Sequence, residues 1–146
     1  MGRWFNSSVT VSIPAPKERV WAVWSDLEGM PRWIRWIESV RVIDRDISEW
    51  TMDIQGFQIS WTAVTTRLVP GEEMHWETVD GLPFKGCVRF SDLPGGKTRA
   101  RLSISYELPQ IIAPLMDSGM LEELVRAELA ASLKSLLKLV VEEKPG

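Results

Sequence analysis

The feature that most constrains the fold is a two-residue alternation of apolar and polar side chains that persists from about Glu38 to Leu108. Successive side chains of a strand point to opposite faces, so this alternation predicts strands with one buried and one solvated face. Turn residues such as Asp80-Gly81 and Pro94-Gly95-Gly96 separate the segments and favour hairpins. The pattern therefore predicts six strands in an antiparallel meander, of which the first, 38–46, has the weakest alternation.

The residues before the meander predict one more strand and two short helices. Apolar and polar side chains alternate over residues 4–13, and Pro14 and Pro16 end this segment. Pro16 can occupy the first turn of a helix. Gly29 ends that helix and Pro31 can begin a second one. The apolar stripe of the first helix contains Val20, Val23, Trp24 and Leu27.

The chain ends in a long amphipathic helix. Asp117 or Ser118 can cap it, and it is predicted to run until just before Pro145, over roughly 35 to 40 Å. Such a helix can cross a whole sheet. We therefore predict one α+β domain over residues 1–146, in which a seven-stranded antiparallel sheet curls around the C-terminal helix and two short helices follow the first strand. The apolar side of the C-terminal helix contains Leu121, Leu124, Val125, Leu129, Leu133, Leu136, Leu137 and Val140.

Composition argues against several classes of function. The net charge of −3 disfavours a nucleic-acid partner, and the single Cys87 and single His75 leave no metal site or Cys-His nucleophile pair to predict. No cofactor is predicted. No apolar run has the length of a membrane span or of a signal-peptide core, so a cytoplasmic location is expected.

Three parts of the sequence carry a family resemblance. They are IPAPKERVWAVWSDLEGMPRWIRWIESV at 13–40, WETVDGLPFKG at 76–86, and the C-terminal helix. Together they resemble the START-like (SRPBCC) superfamily, in particular its polyketide cyclase/dehydrase and coenzyme Q-binding branch for lipid transport, which includes small cyanobacterial and plastid members. The resemblance implies a helix-grip fold with an elongated cavity for a lipid, sterol, polyketide or isoprenoid quinone. The alternation alone predicts only an apolar interior.

The inward-facing positions are the candidate ligand site. Small residues (Ala63, Gly86) stand among very large ones, and hydroxyls (Thr65, Thr78, Tyr106) lie on an apolar face, which favours a cavity over a solid core. The predicted cavity lining is Trp61, Ala63, Thr65, Met74, Trp76, Phe84, Gly86, Val88, Phe90, Leu102, Ile104, Tyr106, Leu121, Leu124 and Val125. The predicted mouth is formed by Trp33, Trp36, Leu82 and Ile112.

The tryptophans near Gly29 have two interpretations. Trp24 and Trp33 lie on apolar stripes, so packing is the simpler reading for them. Trp21 and Trp36 lie off those stripes and are candidates for the rim of the mouth. The apolar loops 81–84 and 111–116 either tuck against the end of the sheet or form a gate that touches a membrane surface.

The function predicted first is binding or carriage of an apolar small molecule, a lipid or isoprenoid quinone, without chemistry of its own. A polyketide aromatase/cyclase is the alternative, but it needs an acid or base in the cavity. The inward positions offer chiefly Tyr106 and threonines, and His75 should point outward. Arg126 and Glu128 reach inside only if the helix register differs by one position. A third alternative is a protein-interaction module with a filled core.

Overall fold

The computed structural model describes residues 4–54, 56–107 and 118–142 of the chain. Strand β1 is followed by helix α1, a 3-10 helix, six further strands and helix α2. Their bounds are β1 Trp4–Ile13, α1 Lys17–Trp24, the 3-10 helix Leu27–Arg32, β2 Ile37–Asp44, β3 Ile47–Ile54, β4 Phe57–Val69, β5 Glu73–Gly81, β6 Phe84–Leu93, β7 Lys97–Glu107 and α2 Ser118–Glu142. The predicted order of elements is confirmed.

All seven strands belong to one antiparallel sheet in the order β1-β7-β6-β5-β4-β3-β2. The chain therefore forms a meander from β2 to β7, and the last strand, β7, pairs with the first strand, β1. Helix α2 has 25 residues, which corresponds to about 37 Å, and it packs against β1 and α1. No helix in the described ranges is long and apolar enough to span a bilayer.

The two short helices differ from the prediction in their bounds. Helix α1 ends at Trp24 rather than at Gly29, and the second helix is a 3-10 turn that contains Pro31 rather than beginning with it. Proline has no N–H and disfavours a helical residue before it, so an α-helix cannot continue through this segment. The Arg32 Nε–H donates to the Gly29 carbonyl at 3.1 Å, which closes the tight turn instead.

The sheet is bent by bulges on neighbouring strands. The β4–β5 register shifts between Thr62 and Ala63 and again between Thr65 and Arg67. Each extra residue increases the local twist and bends its strand. These bends help the sheet to curve, and period-two patterning does not reveal them.

The interior has two parts along α2. Towards the C-terminal end of α2, Leu133, Leu136 and Val140 are almost fully buried and belong to a solid core. That core also includes Ile13, Val20, Val88, Phe90 and Ala100. The segment Leu124–Ser132, nearer the N-terminal end of α2, instead borders a cavity.

Candidate functional site: an apolar cavity bordered by an ion pair

A cavity of about 170 Å³ lies between the sheet, α2 and the segment before β2. Aromatic and aliphatic side chains form most of its wall. The lining residues are Trp24, Leu27, Met30, Ile34, Trp36, Ile37, Ser48, Trp50, Met52, Ile59, Trp61, Ala63, Thr65, Met74, Trp76, Leu82, Phe84, Leu102, Ile104, Tyr106, Leu124, Val125, Glu128, Leu129 and Ser132.

Strand alternation places the sheet residues on this wall. Trp61, Ala63 and Thr65 are spaced by two along β4 and all three line the cavity. The turn after β5 adds Leu82 because Gly81 has φ +94° and a Cβ there would lie 2.5 Å from the Ser60 carbonyl oxygen. Only glycine combines that backbone conformation with so close an approach.

Aromatic rings form a connected wall. Trp50 and Trp61 stack with centroids 6.0 Å apart and planes 6° from parallel, and Phe84 lies 5.5 Å from Trp61. Trp24 lies 6.1 Å from Trp76 on another part of the wall. These spacings are those of aromatic rings in mutual contact, so the rings form continuous parts of the wall.

A few polar groups interrupt this surface: Ser48, Thr65, Tyr106, Glu128 and Ser132. Ser48 is fixed by Trp50, whose Nε1–H donates to the Ser48 Oγ at 2.8 Å. Small-molecule sites commonly combine a mostly apolar wall with a small number of such polar groups.

Glu128 is the charged residue among the cavity-lining side chains, and Arg35 neutralises it. The Arg35 Nε donates to Glu128 Oε1 at 2.7 Å, and a second guanidinium nitrogen donates to Oε2 at 2.8 Å. The Glu128 side chain is 6% exposed whereas that of Arg35 is 77% exposed. The pair therefore spans the wall, with the carboxylate on the inner side and the guanidinium in solvent. This hydrogen bonding raises the pKa of Arg35.

Most predicted lining residues do border the cavity. The predicted lining residues found on the wall are Trp61, Ala63, Thr65, Met74, Trp76, Phe84, Leu102, Ile104, Tyr106, Leu124 and Val125. Two residues of the predicted mouth, Trp36 and Leu82, also line the cavity. Ile112 and the side chain of Leu121 lie outside the described part of the chain. Whether the bordering residues contact a ligand stays a prediction.

Four predicted residues do not border the cavity. Val88 and Phe90 lie farther along β6 in the solid core. Gly86 is covered by the indole of Trp76, whose Cζ2 would be 2.6 Å from a Cβ at that position. Trp33 is buried against Trp24, with ring centroids 5.2 Å apart, so it packs behind the wall rather than at a mouth.

The prediction that no acid reaches the cavity is wrong, since Glu128 does so. Arg126 is exposed, as expected for the solvated side of α2. The helix register holds, but the centre of the buried stripe runs through Val125, Glu128 and Ser132. Residues spaced by three and four positions lie on one side of a helix, so this spacing could have indicated that Glu128 faces inward. Its charge argued against that assignment.

The outer face of the sheet carries a second charged cluster. Glu73 accepts from the Arg67 Nε at 2.5 Å, lies 3.3 Å from the Arg89 Nε, and is 3.5 Å from the His75 Nε2. The hydrogen bond from Arg67 lowers the pKa of Glu73. His75 points outward beside Glu73, as predicted. No three metal-ligating side chains come together within the described residues.

A seven-stranded antiparallel sheet with a long C-terminal helix and an internal apolar cavity defines the helix-grip class. The polyketide cyclase/dehydrase and lipid transport family matches residues 13–134. The chain belongs to this family, and the fold is that of the START superfamily.

Solved structures share this fold. Protein TTHA0849 from Thermus thermophilus has a TM-score of 0.83 at 23% identity, covering 97% of this chain and 100% of its own. A START superfamily protein from Mycobacterium smegmatis has a TM-score of 0.80 at 16% identity, with coverages of 95% and 99%. The Zhui aromatase/cyclase from a Streptomyces species has a TM-score of 0.76 at 19% identity, with coverages of 94% and 94%.

A curated relative is similar over part of its length. It is an uncharacterized 17.2 kDa protein from the melC2-rnhH intergenic region of Streptomyces lincolnensis, 21% identical over 98 residues. The match covers 66% of this chain and 65% of that protein.

Proposed function

We propose that this protein binds an apolar small molecule in the cavity and acts as a carrier or receptor for it. The observation that carries the proposal is the cavity itself, about 170 Å³ with a wall of aromatic and aliphatic side chains. Burial of apolar surface would supply most of the binding energy, and the few polar groups would orient the ligand.

The volume bears on the ligand class. A cavity of about 150 Å³ accepts benzene, whereas sites for drug-sized ligands have about 300 to 1,000 Å³. The resemblance predicts a lipid or isoprenoid quinone, and because the cavity is partly open to solvent it suits a compact ligand or one compact part of a longer one.

Native mass spectrometry of the purified protein tests the proposal, with solvent extraction to identify any bound molecule. The wild-type protein should carry, or take up from a mixture of lipids, quinones and small aromatic molecules, a discrete mass that extraction removes. Ala63→Phe fills the cavity from its wall and should abolish this mass. Ala131→Phe is the matched control, because Ala131 lies on the exposed side of α2.

The proposal would be refuted by a wild-type protein that stays ligand-free after incubation with the mixture. It would also be refuted if Ala63→Phe bound as well as wild type, provided that circular dichroism shows it folded. Ala63→Leu, a smaller change, replaces it if Ala63→Phe does not fold.

The carboxylate of Glu128 on the cavity wall favours a second candidate, an enzyme of the aromatase/cyclase type. General-base catalysis requires a positioned group of this kind beside the substrate. Both Glu128 oxygens already accept hydrogen bonds from Arg35, so we place binding first.

Proton exchange at carbon tests the enzyme proposal. The α-protons of a small aryl ketone, 1-indanone, are followed by NMR in D₂O with wild-type protein, Glu128→Gln and the control Glu49→Gln. Glu49 pairs with Arg41 on the exposed surface, outside the cavity lining, so the control removes a paired carboxylate without touching the cavity. Faster exchange that only Glu128→Gln abolishes supports catalysis, and equal exchange with all three proteins refutes it for this substrate class.

A further inference from the structure

Glu128 has hydrogen-bonding capacity that Arg35 does not use. An ionised carboxylate offers about four lone-pair directions, and the two bonds from Arg35 occupy two of them. Within the described ranges, Arg35 is the residue that donates hydrogen bonds to Glu128. The remaining acceptor capacity is on a side chain that borders the cavity.

Charge decides which ligand group suits this position. Arg35 compensates one negative charge, so the pair as a whole adds no net charge to the wall. An anionic ligand group would lie beside a buried carboxylate, or would have to displace it from Arg35 and leave it unpaired. A neutral O–H or N–H instead finds an acceptor that is already desolvated and ionised, which makes a strong hydrogen bond.

Shape restricts the rest of the ligand. The volume of about 170 Å³ is close to that of a cavity that accepts benzene, and the cavity is partly open to solvent, so one ring fits inside and a second can lie at the opening. Seven aromatic rings lie in the wall among aliphatic side chains, and they include Trp24, Trp50, Trp61, Trp76 and Phe84.

We propose that Glu128 is the specificity-determining residue of the cavity and that it selects neutral aromatic alcohols of one or two rings over the matching anions and ethers. This inference rests on the proposed binding function and names its ligand class.

The test uses three ligands with one skeleton: 2-naphthol, 2-methoxynaphthalene and 2-naphthoate. The first is a neutral donor at pH 7, the second lacks the donor, and the third is an anion. Calorimetric titration should give 2-naphthol an affinity about tenfold higher than that of either other ligand, since a hydrogen bond to a charged group contributes at least this much.

Glu128→Gln and Glu49→Gln serve as variant and control in the same titrations. Glu128→Gln should reduce the preference for 2-naphthol over 2-naphthoate by about tenfold, and Glu49→Gln should leave it unchanged. Equal wild-type affinities for 2-naphthol and 2-methoxynaphthalene would overturn the inference, as would tighter binding of 2-naphthoate.

The experiment separates the two proposals. If the ether and the alcohol both bind and Glu128→Gln changes neither, the cavity binds ligands but Glu128 does not select them. Failure of all three ligands to bind counts against the inference and, together with a ligand-free native mass spectrum, against the binding function. If Glu128→Gln does not fold, the affinities of the wild-type protein for the three ligands still test the selection of the alcohol.

Discussion

At the scale of single residues, the contact between Trp76 and Gly86 determines how the wall is built. The two residues are directly paired across β5 and β6, and the indole of Trp76 occupies the space that a side chain at position 86 would need. A cross-strand partner without a side chain allows a large aromatic ring to lie close to the sheet. The ring of Trp76, rather than Gly86, thereby becomes part of the cavity surface.

Gly86→Ala should therefore lower the free energy of unfolding by about 1 to 3 kcal/mol, the usual cost of overpacking. The added methyl group would be 2.6 Å from Trp76 Cζ2 and 2.9 Å from the Ser103 carbonyl oxygen. Urea unfolding measures the change. In a Trp76→Phe background the smaller ring should make the loss smaller, and an equal loss in both backgrounds would contradict this explanation.

At the scale of secondary-structure elements, the Arg35–Glu128 pair connects the segment before β2 to α2. The neighbours of Arg35, Ile34 and Trp36, both line the cavity. The pair thus holds a stretch of cavity wall against the helix through two hydrogen bonds.

Arg35→Ala should destabilise the protein more than Glu128→Gln does. Removal of the arginine leaves a buried carboxylate without its partner, whereas removal of the glutamate charge leaves an arginine that water already solvates. Urea unfolding of both variants at pH 7 gives the comparison. Equal losses, or a larger loss for Glu128→Gln, would show that the pair is not divided between the interior and solvent in this way.

On the outer face of β5, Glu73 should make part of the stability depend on pH. Arg67 lowers its pKa in the folded protein, so the contribution is fully present above the unfolded value of about 4.3 and is lost as pH falls through the lowered pKa. Glu73→Gln should be less stable than wild type at pH 7, and the gap should close in strong acid. Glu77→Gln on the same strand is the control, since Glu77 has no ion pair among the described residues. A stability difference between Glu73→Gln and wild type that stays constant with pH would refute the prediction.

The same elements show what the sequence can predict. Alternation indicated the strands and the inward face of β4, because strand geometry fixes both. It could not reveal the pairing of Arg35 with Glu128, which joins residues 93 positions apart. Alternation also could not separate Phe84 on the cavity wall from Val88 and Phe90 in the core. All three lie on the same face of β6, and the difference depends on which part of α2 lies opposite them.

At the scale of the whole molecule, the interior combines a solid core with a cavity. The fully buried residues near the C-terminal end of α2 supply close packing, while the wall around the cavity lacks contact partners on its inner side. A ligand that fills this space restores such contacts, so binding and folding stability should be linked.

Ligand binding should therefore raise the melting temperature in a concentration-dependent way. At a free concentration about 100 times its Kd, 2-naphthol should add about 2.7 kcal/mol to the free energy of unfolding, which for a chain of this size corresponds to roughly 5 to 10 °C. Differential scanning calorimetry at several concentrations measures the shift. Ala63→Phe should show no shift and Ala131→Phe the full one, because only the first fills the cavity. An equal shift for Ala63→Phe would mean that the ligand binds elsewhere on the folded protein.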